Sequence, residues 1–218
     1  MSWWNLKCDC GHHGGCCHDD CCKRRKRCRI LAWILVFIIL NLLIILIIWL
    51  ALRPTKPKFD LQDASVYAFN VSSPNNLLST TIQVTITTRN PNARVGIYYD
   101  RVDVFASYKY QQITPATAVP PFYQGQNDVD VWSPYLYGVS VPVAPYLAEA
   151  ISQDQSSGFL LVRVKIEGRI RWKTGFWVSG HYDLFVTCPA FLSCQSGNGV
   201  GDPTVIKFQQ ISTCNVDV

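Results

Sequence analysis

Residues 30–52 read ILAWILVFIILNLLIILIIWLAL, an unbroken apolar run with the basic tract KRRKRCR directly before it. A helix built from this run is apolar on every side, so one apolar neighbour cannot satisfy it and a lipid environment can. At helical rise its 23 residues span about 34 Å, enough for a bilayer core of about 30 Å. A secretory signal has a shorter apolar stretch, about 7–15 residues, and ends at a small-residue cleavage site. Here the run starts 29 residues into the chain and leaves through Leu-Arg-Pro with no A-x-A pattern. The reading is a retained transmembrane signal-anchor helix over residues 30–52.

The flanks orient it. Lys23, Arg24, Arg25, Lys26, Arg27 and Arg29 precede the span, against Arg53, Lys56 and Lys58 just after it. The richer side stays cytosolic, which predicts a single-pass type II protein with its C-terminal part outside, carried through ER and Golgi. Trp33 and Trp49 fall near the two ends, where indole rings favour headgroups. Asn41 at mid-span is either an interhelical hydrogen-bonding group in a homo-oligomer or a tolerated polar residue.

Charge and cysteine usage divide at the same point. Of the net +5, residues 1–29 contribute seven basic and three acidic groups, and residues 53–218 thirteen basic and twelve acidic ones. The excess is therefore juxtamembrane and predicts contact with anionic inner-leaflet lipids, at about 1 kcal/mol per cation. A nucleic-acid-binding role is excluded on the same ground.

Seven cysteines lie before the span and three after it. In the tail CDCGHHGGCCHDDCCKRRKRC, the pairs Cys16-Cys17 and Cys21-Cys22, with Cys28 nearest the bilayer, are placed for S-acylation. Metal binding through these thiols with His12, His13 and His18 is the competing reading, but the spacing leaves no room for an ordered loop between paired ligands. Glycines and the lack of apolar periodicity predict a disordered tail over residues 1–29, able to dock a cytosolic partner.

A Pro-rich linker over residues 53–58 then gives way at Phe59 to period-two alternation, which marks half-buried strands. Ile82, Val84 and Ile86 form one inward row, and Val102, Val104, Ala106, Tyr108 and Tyr110 another. Leu160, Val162, Val164, Ile166, Ile170 and Trp172 form a third, with Gly168 marking a bulge or a close backbone approach. A turn at Lys173-Thr174-Gly175 predicts a hairpin pairing Trp172 with Phe176, Glu167 with His181 and Lys165 with Asp183, the inward phase continuing through Val178, Tyr182, Leu184 and Val186. Only Ala144–Ser152 suggests a helix. The whole reads as an antiparallel β-sandwich over residues 59–218.

Candidate sites in this part are few. His181 with Ser179 and Asp183 at i±2 lacks the geometry of a triad, and P-loop, HExxH and GxSxG motifs are absent. No enzyme, cofactor or metal is expected. The outward row Arg163, Lys165, Arg169 and Arg171 is a solvated strand face or an anionic-ligand patch. Asn70-Val71-Ser72 is an N-glycosylation sequon on the lumenal side. Among the three outer cysteines, Cys188 to Cys214 would tie the C-terminal strand to the sheet and leave Cys194 free. Cys188 to Cys194 would close only a small loop; the former is favoured.

The tract Asn90-Pro91-Asn92 followed by Tyr98-Tyr99-Asp100, the preceding RPTKPKF at residues 53–59, and Pro121-Phe122-Tyr123-Gln124-Gly125 resemble signatures of the plant NHL family of harpin-induced and non-race-specific-resistance-like proteins. The similarity runs from about residue 24 to the C-terminus and excludes the cysteine-rich tail. It implies a group-2 late-embryogenesis-abundant domain, a sandwich related to fibronectin type III, plasma-membrane residence, and a part in defence or abiotic-stress responses. The tract itself reads as a strand end, since Pro91 removes a ladder donor and Asn tolerates turns. Some relatives carry a C-terminal lipid anchor or an adhesion tripeptide. The polar ending STCNVDV predicts no such anchor, and the tract from Asn198 to Asp202 holds no contiguous Asn-Gly-Asp.

The resulting expectation is a non-enzymatic interaction or signalling scaffold between cell exterior and cytosol, with unnamed protein or cell-wall partners. Lipid handling and membrane-tethered stress stabilisation are the alternatives.

Overall fold

The computed structural model describes residues 18–52, 54–72, 75–195 and 205–218. They fall into two compact units, Met1–Arg53 and Pro54–Val218.

The first unit contributes one helix, α1 (His18–Leu52). It begins twelve residues before Ile30 and so takes in a stretch expected to lack order. Lys and Arg are good helix formers, and no proline occurs before Pro54, so nothing in the basic tract stops the helix. Arg27–Ile47 is long and apolar enough to cross a membrane, and none of it is buried. Asn41 donates its amide to the Phe37 carbonyl at 2.8 Å, one turn back on the same helix.

The second unit is all-β apart from one helix. Its strands are β1 (Lys58–Ser72), β2 (Leu77–Arg89), β3 (Gly96–Tyr108), β4 (Gln111–Gln112), β5 (Thr117–Val119), β6 (Phe122–Gln124), β7 (Val129–Trp132) and β8 (Tyr135–Pro142). After α2 (Pro145–Ser156) come β9 (Phe159–Thr174), β10 (Trp177–Val178), β11 (Tyr182–Gln195), β12 (Val205–Phe208), β13 (Ser212–Thr213) and β14 (Asn215–Asp217). One sheet runs β13-β1-β2-β7 with β8 also on β2; the other runs β12-β11-β9-β3-β4 with β5, β6, β10 and β14 on its flanks. All described pairings are antiparallel. This is the β-sandwich that the alternation predicts, with the inner faces of the two sheets forming the core.

The inward rows explain the packing. Ile82, Val84 and Ile86 are buried, and the phase extends through Leu78, Thr80 and Thr88. Leu160, Val162, Val164, Ile166, Ile170 and Trp172 are buried on β9. Each such aliphatic side chain contributes about 1.5–3 kcal/mol relative to exposure. Phe59 joins the sheets by edge-on contacts with Tyr99 and Trp132, both at 6.4 Å between centroids. Pro at the first turn starts α2, which buries Leu147, Ala148 and Ile151 and continues four residues past Ser152.

Four expectations fail in detail. Tyr110 does not continue the inward row of β3: Lys109 and Tyr110 both have positive φ, 44° and 71°, and turn the chain, leaving Tyr110 exposed. On the opposite face of β3, Phe105 and Ser107 are buried where an exposed row was expected.

The hairpin register is also different. Gly175, at φ +58°, and Phe176 make a two-residue turn, so Thr174 faces Trp177. Farther along, Asp183 faces Arg169 and Thr187 faces Lys165. The predicted Glu167–His181 and Lys165–Asp183 pairs are therefore not formed. Tyr182, the first residue of β11, is exposed, and the inward phase begins to be buried at Leu184.

Candidate functional site

The Asn90-Pro91-Asn92 tract closes β2 and builds a buried polar knot. Asn90 is fully buried, and its amide donates to the carbonyls of Val95 at 2.8 Å and Gly125 at 2.7 Å. Its Oδ1 accepts from the backbone N–H of Asn92 at 3.0 Å and from the Asn92 amide at 2.9 Å. Asn92 in turn grips Thr55 from both sides, donating to its carbonyl at 2.8 Å and accepting its N–H at 2.7 Å. Pro91 sits where no ladder donor is needed. Every side-chain amide hydrogen and both side-chain carbonyl oxygens of the pair are thus engaged within the fold. The knot fastens three things together: the start of the sandwich at Thr55, the start of β3, and the turn after β6.

Tyr99 and Asp100 use opposite faces of the same strand. Tyr99 is buried, stacks on Phe122 at 4.4 Å, and shares hydrogen bonds with Thr88 at 3.2 Å and Gln124 at 3.3 Å. Burial pushes its phenol well above the usual range, so it stays protonated. Gln124 completes this network by donating to the Thr88 carbonyl at 2.9 Å. Half-buried Asp130 lies beside it. Burial, then the Asp128 charge, raise its carboxyl above the ordinary value, and its Oδ2 finds no partner among the described residues.

Asp100 is the extra residue of a β-bulge, since the β3–β9 register shifts between Tyr99 and Arg101. Gly168 faces this irregularity, and a Cβ there would collide with the Arg101 carbonyl oxygen. Asp100 reaches outward to Arg171, which donates to both carboxylate oxygens, and His181 lies 3.6 Å away. The hydrogen bonds from Arg171 hold its carboxyl below the ordinary value. Tyr98, also outward, packs on Tyr123 at 4.6 Å and accepts from Lys173 at 3.1 Å.

The basic row on β9 is divided by these contacts. Arg171 is occupied by Asp100, and Arg169 lies 3.6 Å from Asp183. Arg163 sits over the Tyr110 ring at 5.2 Å, and half-buried Lys165 lies between Phe105 and Thr187. Among the described residues, no contact brings the four to a common point.

Of the tail cysteines, Cys16 and Cys17 lie outside the described residues, as does the tract from Asn198 to Asp202. Cys21 and Cys22 fall on α1, and Cys28 is a free, exposed thiol on it. Asn70 is exposed on β1 opposite Ser79. Cys188 and Cys214 form a disulfide with Cα atoms 4.3 Å apart, and Cys194 is a buried free thiol whose ionisation burial disfavours.

Two features escape the sequence reading. Gln124 belongs to a noted tract, but only the fold shows it as the centre of a buried network. The other is a tyrosine ladder on the outer face of the five-stranded sheet. Tyr67 lies 6.2 Å from Tyr135, which stacks on Tyr137 at 5.7 Å, and all three are exposed.

Comparison with known proteins then bears on the whole chain. Residues 85–188 match the family model described as Late embryogenesis abundant protein, LEA_2. NDR1/HIN1-like protein 1 of Arabidopsis thaliana is 46% identical over 96% of this chain and 99% of its own length. NDR1/HIN1-like protein 12 of the same plant is 46% identical over 96% and 98%. Protein NDR1, also from Arabidopsis thaliana, is 28% identical over 65% of each chain. The first two matches each cover 96% of this chain, so the chain belongs to the NDR1/HIN1-like family and carries its late-embryogenesis-abundant domain.

Proposed function

We propose that this protein is a single-pass type II component of the plant plasma membrane in defence or stress responses, acting without catalysis as an interaction scaffold. The carrying observation is the use of the motif residues. Asn92 fastens Thr55, and Asn90 ties Asn92 to the Val95 and Gly125 carbonyls, so the motif side chains serve to hold the domain at the end of a linker. The apolar helix with its basic flank supports anchorage with the tail inside. On that topology Cys16, Cys17, Cys21, Cys22 and Cys28 are acylation sites beside the inner leaflet, and exposed Asn70 is a glycan site on the far side.

Photocrosslinking from the outer face tests the scaffold role. The full chain, with p-benzoylphenylalanine in place of exposed Tyr137, is irradiated in intact plant cells. Discrete protein or wall-polysaccharide adducts are expected. Adducts formed with lipid alone would contradict the scaffold reading and favour lipid handling.

A further inference from the structure

We propose that the β9–β10 hairpin tip, Phe176 and Trp177, seats in the headgroup region of the bilayer that α1 crosses, giving the sandwich a second attachment to that membrane. The inference rests on the membrane-anchored reading above.

The tip is chemically out of place in water. Phe176 has a relative exposure of 103% and Trp177 of 58%. The turn needs only the left-handed backbone of Gly175, so its geometry does not call for a phenylalanine beside it. A Phe-Trp pair is an apolar body with one polar N–H, the chemistry that favours the boundary between acyl chains and water.

Position is the second argument. β9 ends at Thr174 beside the start of β3, where Lys173 faces Gly96. β1 starts where β2 ends, with Lys58 facing Arg89. Asn90 and Asn92 bridge these two strand ends and hold Thr55 there. The tip therefore lies at the end of the sandwich through which the chain enters. Only Arg53 and Pro54 separate the last residue of α1 from Thr55, and a chain extends at most about 3.5 Å per residue. With α1 embedded, chain connectivity alone keeps this end of the sandwich within reach of the bilayer.

Charge at that end fits lipid phosphates. Lys58, Arg89 and Arg94 are exposed there with no ion pair among the described residues. The nearby acids are largely committed: Asp100 holds Arg171, and Asp128 accepts from the N–H groups of Gly125 and Val129. Apolar tip and cationic surround together match an interface of acyl chains under phosphates.

The test uses the full chain in phosphatidylcholine–phosphatidylglycerol vesicles formed in iodide, so that quencher is on both sides. Subtracting the emission of Trp177→Phe from that of the parent isolates Trp177. Its emission is expected to be blue-shifted, quenched by lipids brominated near the headgroup end, and several-fold less quenched by iodide than in the urea-unfolded chain. Phe176→Asp should restore iodide access while the vesicles still carry the protein in flotation. Trp177 open to iodide and untouched by brominated lipid, in protein that floats, would overturn the proposal alone. Shielding that depends on protein density and not on brominated lipid would also overturn it, in favour of a contact between copies. Protein that does not float after a carbonate wash would remove the anchored reading and this inference with it.

Discussion

Asn90 shows how much one side chain carries here. Its amide satisfies two buried carbonyls, and its oxygen organises Asn92, which holds Thr55. Asn90→Ala leaves the Val95 and Gly125 carbonyls without this donor, at about 1–3 kcal/mol each. The sandwich is expected to lose at least about 3 kcal/mol, read as a fall in Tm of about 6–12 °C for a domain of this size. Two carboxylates on either side of the same region respond to pH with opposite sign. Asp130 has a raised folded value, so the folded state binds its proton more tightly than the unfolded chain does. Ionised Asp130 therefore costs stability at neutral pH, and that cost is relieved as pH falls through the raised value toward the ordinary one. Asp100 has a lowered value, so its contribution is present above the ordinary carboxylate range and is lost as pH falls toward the lowered one. Urea titrations at neutral and acidic pH should show Asp130→Asn more stable than the parent at pH 7, with the gain vanishing in acid. Asp100→Asn should be less stable by about 1 kcal/mol at pH 7, modest because the pair is partly exposed, with that loss vanishing in acid. The resemblance pointed to Asn90, Pro91, Asn92, Tyr98, Tyr99 and Asp100, and Pro and Asn chemistry read the tract as a strand end. Their partners could not be read, since Gly125 and Thr55 lie 35 and 37 residues away in sequence.

At the scale of elements, strand identity was legible and strand register was not. Alternation on β2 and β9 marks which face is buried, because one face meets the core and the other water. Asp183 was expected opposite Lys165 and lies opposite Arg169, a slip of four residues. An even slip keeps every side chain on its face, so the hydrophobic pattern cannot detect it; the short turn at Gly175 and Phe176 supplies three of the four residues, and the break between Val178 and Tyr182 supplies the fourth. Gly168 was legible as a disturbance, and the structure assigns it to close approach, with the bulge itself at Asp100 on the neighbouring strand. Gly168→Ala would drive a methyl into the Arg101 carbonyl, a backbone atom that cannot swing away. A loss of about 2–3 kcal/mol is expected by chemical denaturation. The disulfide is the other element-scale tie. Cys188 and Cys214 are 26 residues apart and join β11 to the segment between β13 and β14. Cys214→Ser should cost about 2–4 kcal/mol in the oxidised protein and almost nothing when both proteins are measured in reductant.

For the whole molecule, the apolar run, its basic flank and the alternating strands that follow set the plan of helix, linker and sandwich. The helix reaches back to His18 because propensity in the basic tract favours it, a local preference that composition and low apolar content had hidden. Helix and sandwich are separate compact units that divide between residues 53 and 54. The motif fixes where the sandwich takes up the chain, so the functional claim stands on which side of the membrane that domain lies. Protease digestion of sealed plant microsomes carrying the full chain tests this most directly. A protected fragment holding the entire sandwich, shortened only by removal of the basic tail, is the predicted result. A digested sandwich with a protected tail would contradict the account.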